Sequence, residues 1–328
     1  MTKPISVTLT KKHLYTVDYI RAIASLSVAL FHLGGKAVPV LKFGWLGVEM
    51  FFVLSGFIIC WSMPTFYSLK YSGKFILKRI VRIEPPYLIS LFLLLSLNWL
   101  TIDNYKPDWS NVFLHIGYLN NFYRKEFLNP VYWTLGFEFQ YYLFIAFTFP
   151  LLLKSYGKWL ILLVSFMPLF IQVPGQTFFG SFSLFGLGMI TYLFLSHRIT
   201  NKDFLMVGLC LIVSSIYLVG WLNISAGIVS VLFILAPLPK NKIITFFSKI
   251  SFSLYLTHDI IGSRLVVYLG TLFPKTMYFK GLFFLTGIAV SILFAWLYYL
   301  IVEKPFFSVS KLISYTPNKL QLQPDIIN

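Results

Sequence analysis

Apolar runs of about 20 residues recur along this chain, and no other feature limits its fold so strongly. A helix rises about 1.5 Å per residue, so about 20 apolar residues cover the hydrocarbon core of a bilayer. Ten such runs can be traced, at 15–34, 43–62, 82–101, 132–153, 158–174, 177–197, 203–219, 222–237, 250–270 and 280–302. The chain is 58% hydrophobic and 12% charged, whereas a soluble surface needs about twice that charged share. The expected fold is therefore an all-α polytopic membrane protein of about ten transmembrane helices. It divides into a segment at 1–14, one membrane domain at 15–303 and a polar tail at 304–328. The longest break, 102–131, is polar and Asn-rich, bounded by Pro107 and Pro130, with a short amphipathic helix expected near 109–119. The first run reads as an uncleaved signal anchor, because Arg21 interrupts it and a second span follows at once.

The formal charge is +16. Basicity of this kind can serve nucleic acid or a membrane surface. Here the cations fall mostly in the short gaps between apolar runs, which points to membrane orientation and away from a nucleic-acid partner. With the N terminus inside, inner segments hold 18 lysines and arginines and outer segments 7, while Arg21 and Arg264 lie within spans. This excess places both termini in the cytoplasm. Cys60 and Cys210 lie inside apolar runs with no paired spacing, so neither a disulfide framework nor a metal site is expected.

Ionisable residues inside spans are costly and functional by default. The first run, "DYIRAIASLSVALFH", holds three. Arg21 lies about 9 Å in from the cytoplasmic end, and His32 about 16 Å further out. Eleven residues turn a helix through about 1100°, three turns and a little more, so Arg21 and His32 share a face. Asp18, at i−3 from Arg21, sits close to it. Glu49 and Glu138 fall about 9–10 Å below the outer ends of their spans, level with His32. His258 and Asp259 fall about 10–12 Å above the inner end of span nine, level with Arg21. Arg79 and Arg82 stand at the inner mouth of span three. The result is an inner basic tier and an outer His/Glu tier. Plainer readings exist: topology alone places arginines at a cytoplasmic helix end, His258 could be a packing histidine, and Arg21 could pair structurally with Asp18. His115 reads as a surface or loop-packing residue, and His13 and His197 lie near the membrane faces.

The residues also carry a resemblance. "DYIRAIASLSVALFH" resembles the Asp-x-x-Arg and Arg-x10-His opening of the acyltransferase-3 family, integral membrane O-acyltransferases. "GWLGVEMFFVLSGFII" (44–59), "LKRIVRIEPPY" (77–87), "YWTLGFEFQYYLF" (132–144), "SFSLYLTH" (251–258) and "VEKPF" (302–306) resemble later family motifs, in order and at matching spacing. Thr134 stands where the family usually has Ser. The resemblance implies acyl-CoA as donor substrate with no permanently bound cofactor. It assigns Arg79, Arg82 and Arg21 to the donor, with His258 beside them in the inner tier. It makes His32 the leading catalytic candidate. Depth in the membrane, not the resemblance, adds Glu138, Arg21 and Asp18 as its catalytic support and puts Glu49 and Glu138 on the acceptor side. The acceptor the resemblance implies is a hydroxyl of a bacterial surface polysaccharide or its lipid-linked precursor, although some members of the family modify small molecules or lipids.

The physical reading is compatible with these roles. Arginine forks suit the phosphates of coenzyme A. A hydroxyl nucleophile needs a base, and histidine titrates in the useful range. Glu138 or Glu49 could orient it. Direct transfer and an acyl-histidine intermediate both remain open, while no Gly-x-Ser-x-Gly elbow supports an acyl-serine route. The rival classes are a transporter or flippase for a glycan or small solute, and a non-catalytic membrane receptor, since intramembrane Arg, His and Glu also mark transport pathways.

Overall fold

The computed structural model describes residues 14–172 and 177–315. Among the described residues all regular structure is helical. Each of the ten apolar runs forms a helix: α1 Tyr15–His32, α2 Gly47–Ser62, α3 Ser72–Thr101, and, beyond the short α4 Trp109–His115 and α5 Asn120–Tyr123, α6 Trp133–Leu152, α7 Gly157–Phe166, α8 Phe182–Leu195, α9 Asn201–Leu218, α10 Trp221–Leu235, α11 Lys242–Thr257 continued by α12 Arg264–Leu272, and α13 Met277–Tyr298 continued by α14 Lys304–Leu312. Six helical segments among the described residues are long and apolar enough to cross a membrane, and 157–169 and 221–235 are shorter apolar helices. α1 has the length for a span, but Asp18, Arg21 and His32 dilute its apolarity. The exterior suits lipid: Phe92, Leu163, Leu209 and Leu285 are each more than 60% exposed, on a scale that water would penalise.

Three helices outrun their apolar runs, each at a Lys- or Arg-bearing end. α3 begins ten residues before the expected 82, α11 begins at Lys242 rather than 250, and α13 passes through a π-helical turn at Tyr299–Glu303 into α14. The apolar signal stops where charge begins, but the backbone hydrogen bonding does not. The N-terminal segment and the end of the tail, at 1–13 and 316–328, lie outside the described residues, as does the end of the fifth run at 173–176. The tail itself starts as helix over 304–312.

The centre of the bundle is tight. A Cβ on Gly56 would lie 2.1 Å from the Phe185 carbonyl oxygen, and one on Gly188 would lie 2.0 Å from that of Val53. These two glycines let α2 and α8 meet backbone to backbone, the usual device of membrane helices. Around them Phe185 stacks on Phe52 at 4.9 Å and on Tyr141 at 4.6 Å.

The Asn-rich segment between α3 and α6 is built into the protein. Asp108 caps α4 by accepting the Asn111 amide at 3.2 Å, as an N-cap acid should. His115 is fully buried; its Nδ1 donates to the Asn111 carbonyl at 2.8 Å, and its Nε2 accepts the Leu128 amide at 3.1 Å. It is a loop-packing histidine. Tyr118, buried with a positive φ of 60°, stacks its ring 5.0 Å from Tyr87 of α3.

Candidate active site

Arg79 and Arg82 are three residues apart on α3 and so share a face. Because α3 starts at Ser72, they stand about 10 and 15 Å along the helix rather than at its mouth. That face and Arg21 of α1 border a common cavity. A cavity of about 170 Å³ lies where α1, α2, α3, α6, α11 and the π turn before α14 converge, and its wall carries Arg21, Arg79, Arg82, Glu138 and Glu303. Three guanidiniums face two carboxylates, leaving one net positive charge in a mostly apolar surround.

Four of the five groups are held from behind. Arg79 Nη2 donates to Ser62 Oγ at 3.0 Å, and its guanidinium lies 5.2 Å from the Phe75 ring and 5.6 Å from the Tyr142 ring. The guanidinium of Arg82 lies 4.8 Å from the Phe307 ring. Such cation–π contacts fix a planar fork in place. Glu138 accepts hydrogen bonds from Ser55 Oγ at 2.9 Å and from the Tyr142 hydroxyl. Glu303 accepts both the backbone amide of Ser253, at 3.2 Å, and its hydroxyl, at 2.6 Å. The Nε atoms of Arg21 and Arg79 are buried with no hydrogen-bond partner among the described residues. A buried donor left without an acceptor costs about 1–3 kcal/mol, more for a charged group, and an anionic ligand would remove that cost.

The histidines form a second cluster. His32 is the last residue of α1. Its Nδ1 lies 3.1 Å from the Val28 carbonyl oxygen and 3.2 Å from Nε2 of His258, and His258 Nδ1 lies 2.9 Å from the Leu254 carbonyl oxygen. The two rings are 5.2 Å apart, and His258 is fully buried. Tyr255 joins the clusters. It lines the cavity, and its ring is 6.2 Å from His258. Its hydroxyl donates to the Val131 carbonyl at 2.9 Å and sits 2.6 Å from Thr134 Oγ1. Thr134 thus supplies the hydroxyl that a serine would supply.

The two-tier placement needs correction. His258 belongs with His32 and not with Arg21: α11 starts eight residues before the expected span edge, which moves His258 about 12 Å further along the helix. Glu138 joins Arg21, Arg79 and Arg82 instead of His32, and the hydrogen bonds drawn to it come from Ser55 and Tyr142. Glu49 is buried on another side of α2, where its Oε1 accepts from Asn223 Nδ2 at 3.0 Å. Asp18 is also buried; it accepts from Ser248 Oγ at 2.7 Å and ties α1 to α11. Arg264 donates to Asn98 Oδ1 at 2.5 Å and lies away from both clusters. Glu303 and Tyr142 were not singled out by the sequence. The available signal for Glu303 was an acid closing the last apolar run, directly before Lys304 and Pro305.

Three basic side chains, two carboxylates and a histidine pair, all inside a helical membrane bundle, narrow the choice of family. An acyltransferase domain family matches residues 14–300. The chain belongs to the acyltransferase-3 family. Every chamber residue named above except Glu303 falls inside the acyltransferase-3 match. Among curated proteins, acetyltransferase ORF330 of the Acidianus two-tailed virus is 30% identical over 141 residues, 42% of this chain and 42% of that protein. Peptidoglycan O-acetyltransferase OatA of Listeria monocytogenes serovar 1/2a is 28% identical over 169 residues, 45% of this chain and 25% of that protein. The chain thus matches less than half the length of either relative. No solved structure matches it.

Proposed function

We propose that this chain is a membrane O-acyltransferase. It moves an acyl group, acetyl in the simplest case, from cytoplasmic acyl-CoA to a hydroxyl of an extracytoplasmic or lipid-linked glycan, with His32 as general base. The observation that carries the reading is the buried chamber in which Arg21, Arg79 and Arg82 converge. Arginine forks bind phosphate in pairs of charge-assisted hydrogen bonds, and a desolvated guanidinium stabilises charge developing on a thioester oxygen. The OatA relative, named for O-acetylation of peptidoglycan, supports a glycan acceptor.

The chemistry balances without a further reagent. His32 removes the acceptor's hydroxyl proton as the oxygen bonds to the thioester carbonyl carbon. The carbon–sulfur bond breaks, and the proton passes to the departing CoA thiolate, leaving an ester and free CoA thiol. Tyr255, with Phe51 against its ring, lines the arginine chamber and lies beside His258, so the donor's arm would run past Tyr255 toward the histidine pair.

The test separates an enzyme from a carrier. Purified protein in liposomes should release CoA thiol from acetyl-CoA when a glycan acceptor is present and should label that acceptor. Movement of solute with the thioester untouched would favour the transporter reading.

A further inference from the structure

The histidine pair has a proton arrangement that can be read from its backbone contacts. A carbonyl oxygen can only accept. His258 Nδ1, 2.9 Å from the Leu254 carbonyl oxygen, therefore carries a hydrogen. In the neutral ring its Nε2 is then a bare acceptor. That acceptor lies 3.2 Å from His32 Nδ1, which is also 3.1 Å from the Val28 carbonyl oxygen. Both neighbours of His32 Nδ1 accept, so Nδ1 carries a hydrogen and donates to them. The lone pair of a neutral His32 is left on Nε2.

From this we infer that His258 is a positioning residue. It fixes His32 in the tautomer whose Nε2 is the base, and it holds the ring at the end of α1. The inference deepens the acyltransferase reading and rests on His32 acting as its base. The logic is that of a catalytic histidine whose second nitrogen is held by an acceptor, here a neutral ring and a carbonyl instead of a carboxylate. The fold supports the role. The π-helical turn at His258–Ser263 begins at this histidine, and such turns recur at functional sites. The charged groups that act on the pair are Lys36, beyond the end of α1, and Asp259, on the π turn.

The experiment compares His258→Phe, His258→Gln and His32→Gln with the unaltered protein in liposomes. His258→Phe keeps an aromatic ring but loses the acceptor. It should lower kcat by about 10- to 100-fold, part of the roughly 10²–10⁴-fold that positioned proton transfer supplies, with the KM for acetyl-CoA unchanged. His258→Gln places an amide oxygen within reach of His32 Nδ1 and should recover most of that loss. Nitrogen-15 NMR of the unaltered protein, labelled at histidine, should show His32 with a protonated Nδ1 and a bare Nε2 at neutral pH. A protonated Nε2 with bare Nδ1 would overturn the inference. So would normal kcat in His258→Phe when His32→Gln is inactive, a result that spares the base itself. Activity in His32→Gln would instead overturn the underlying reading.

Discussion

Replacing both Arg79 and Arg82 by lysine preserves every charge in the chamber and removes only the planar fork. Each fork can hold a phosphate through two charge-assisted hydrogen bonds, whereas an ammonium offers a point charge. A hydrogen bond to a charged group is worth about 1.5–3 kcal/mol. Taking the lower value for one bond lost at each site gives about 3 kcal/mol for the pair, and each 1.4 kcal/mol is about tenfold in affinity. The KM for acetyl-CoA should therefore rise about tenfold in each single variant and about 100-fold in the double. Lysine also cannot reproduce the guanidinium contacts with Phe75, Tyr142 and Phe307, so the single variants should not fall below this estimate. Losses confined to binding leave kcat nearly intact at saturating donor. The assay is release of CoA thiol from membrane vesicles over a range of acetyl-CoA concentrations. An unchanged KM in the double variant, with normal kcat, would refute the phosphate role and return both arginines to topology signals.

Glu303→Gln should raise the chamber's net charge by one, lowering the KM for acetyl-CoA by about threefold to tenfold by simple electrostatics. Glu303→Asp should restore the original KM; a raised KM in Glu303→Gln would show that Glu303 acts only by holding Ser253. In the segment between α3 and α6, burial pushes the His115 imidazole below its ordinary 6.5. The neutral ring then contributes stability that is complete above about 6.5 and is lost as pH falls below it, since the unfolded chain takes the proton first. Hydrogen exchange over 109–131 should quicken between pH 7.5 and 5 beyond the intrinsic change, with the Leu128 amide among the first to lose protection; constant protection would contradict this.

The helices were legible because burial in lipid demands long apolar runs, and most ends fall within three residues of those runs. What hydropathy could not see was helix continuing under charge. Lys74, Lys78, Arg79 and Arg82 interrupt the apolar signal, yet all lie in α3, and the same blindness hid the eight residues from Lys242 that open α11. That one offset misplaced His258 by about two turns and concealed its contact with His32. Arg21 was legible as a functional group from the cost of a charge inside a span. Glu138 was legible on the same ground, but its meeting with Arg21 and with Glu303 was not, because that depends on how α6 and the turn after α13 rotate against α1 and α3. Spacing along one helix fixes a shared face but says nothing of which neighbour that face meets.

The proposed transfer crosses the bilayer, from a cytoplasmic thioester to an outward-facing hydroxyl. Sealed vesicles of known orientation, supplied with acetyl-CoA labelled in the acetyl group on one face and a glycan acceptor on the other, test it directly. Label should reach the acceptor only when acetyl-CoA is on the cytoplasmic face and the acceptor is opposite, and it should not do so in His32→Gln vesicles. Equal labelling with acetyl-CoA on the outer face, or label transferred without His32, would contradict the account.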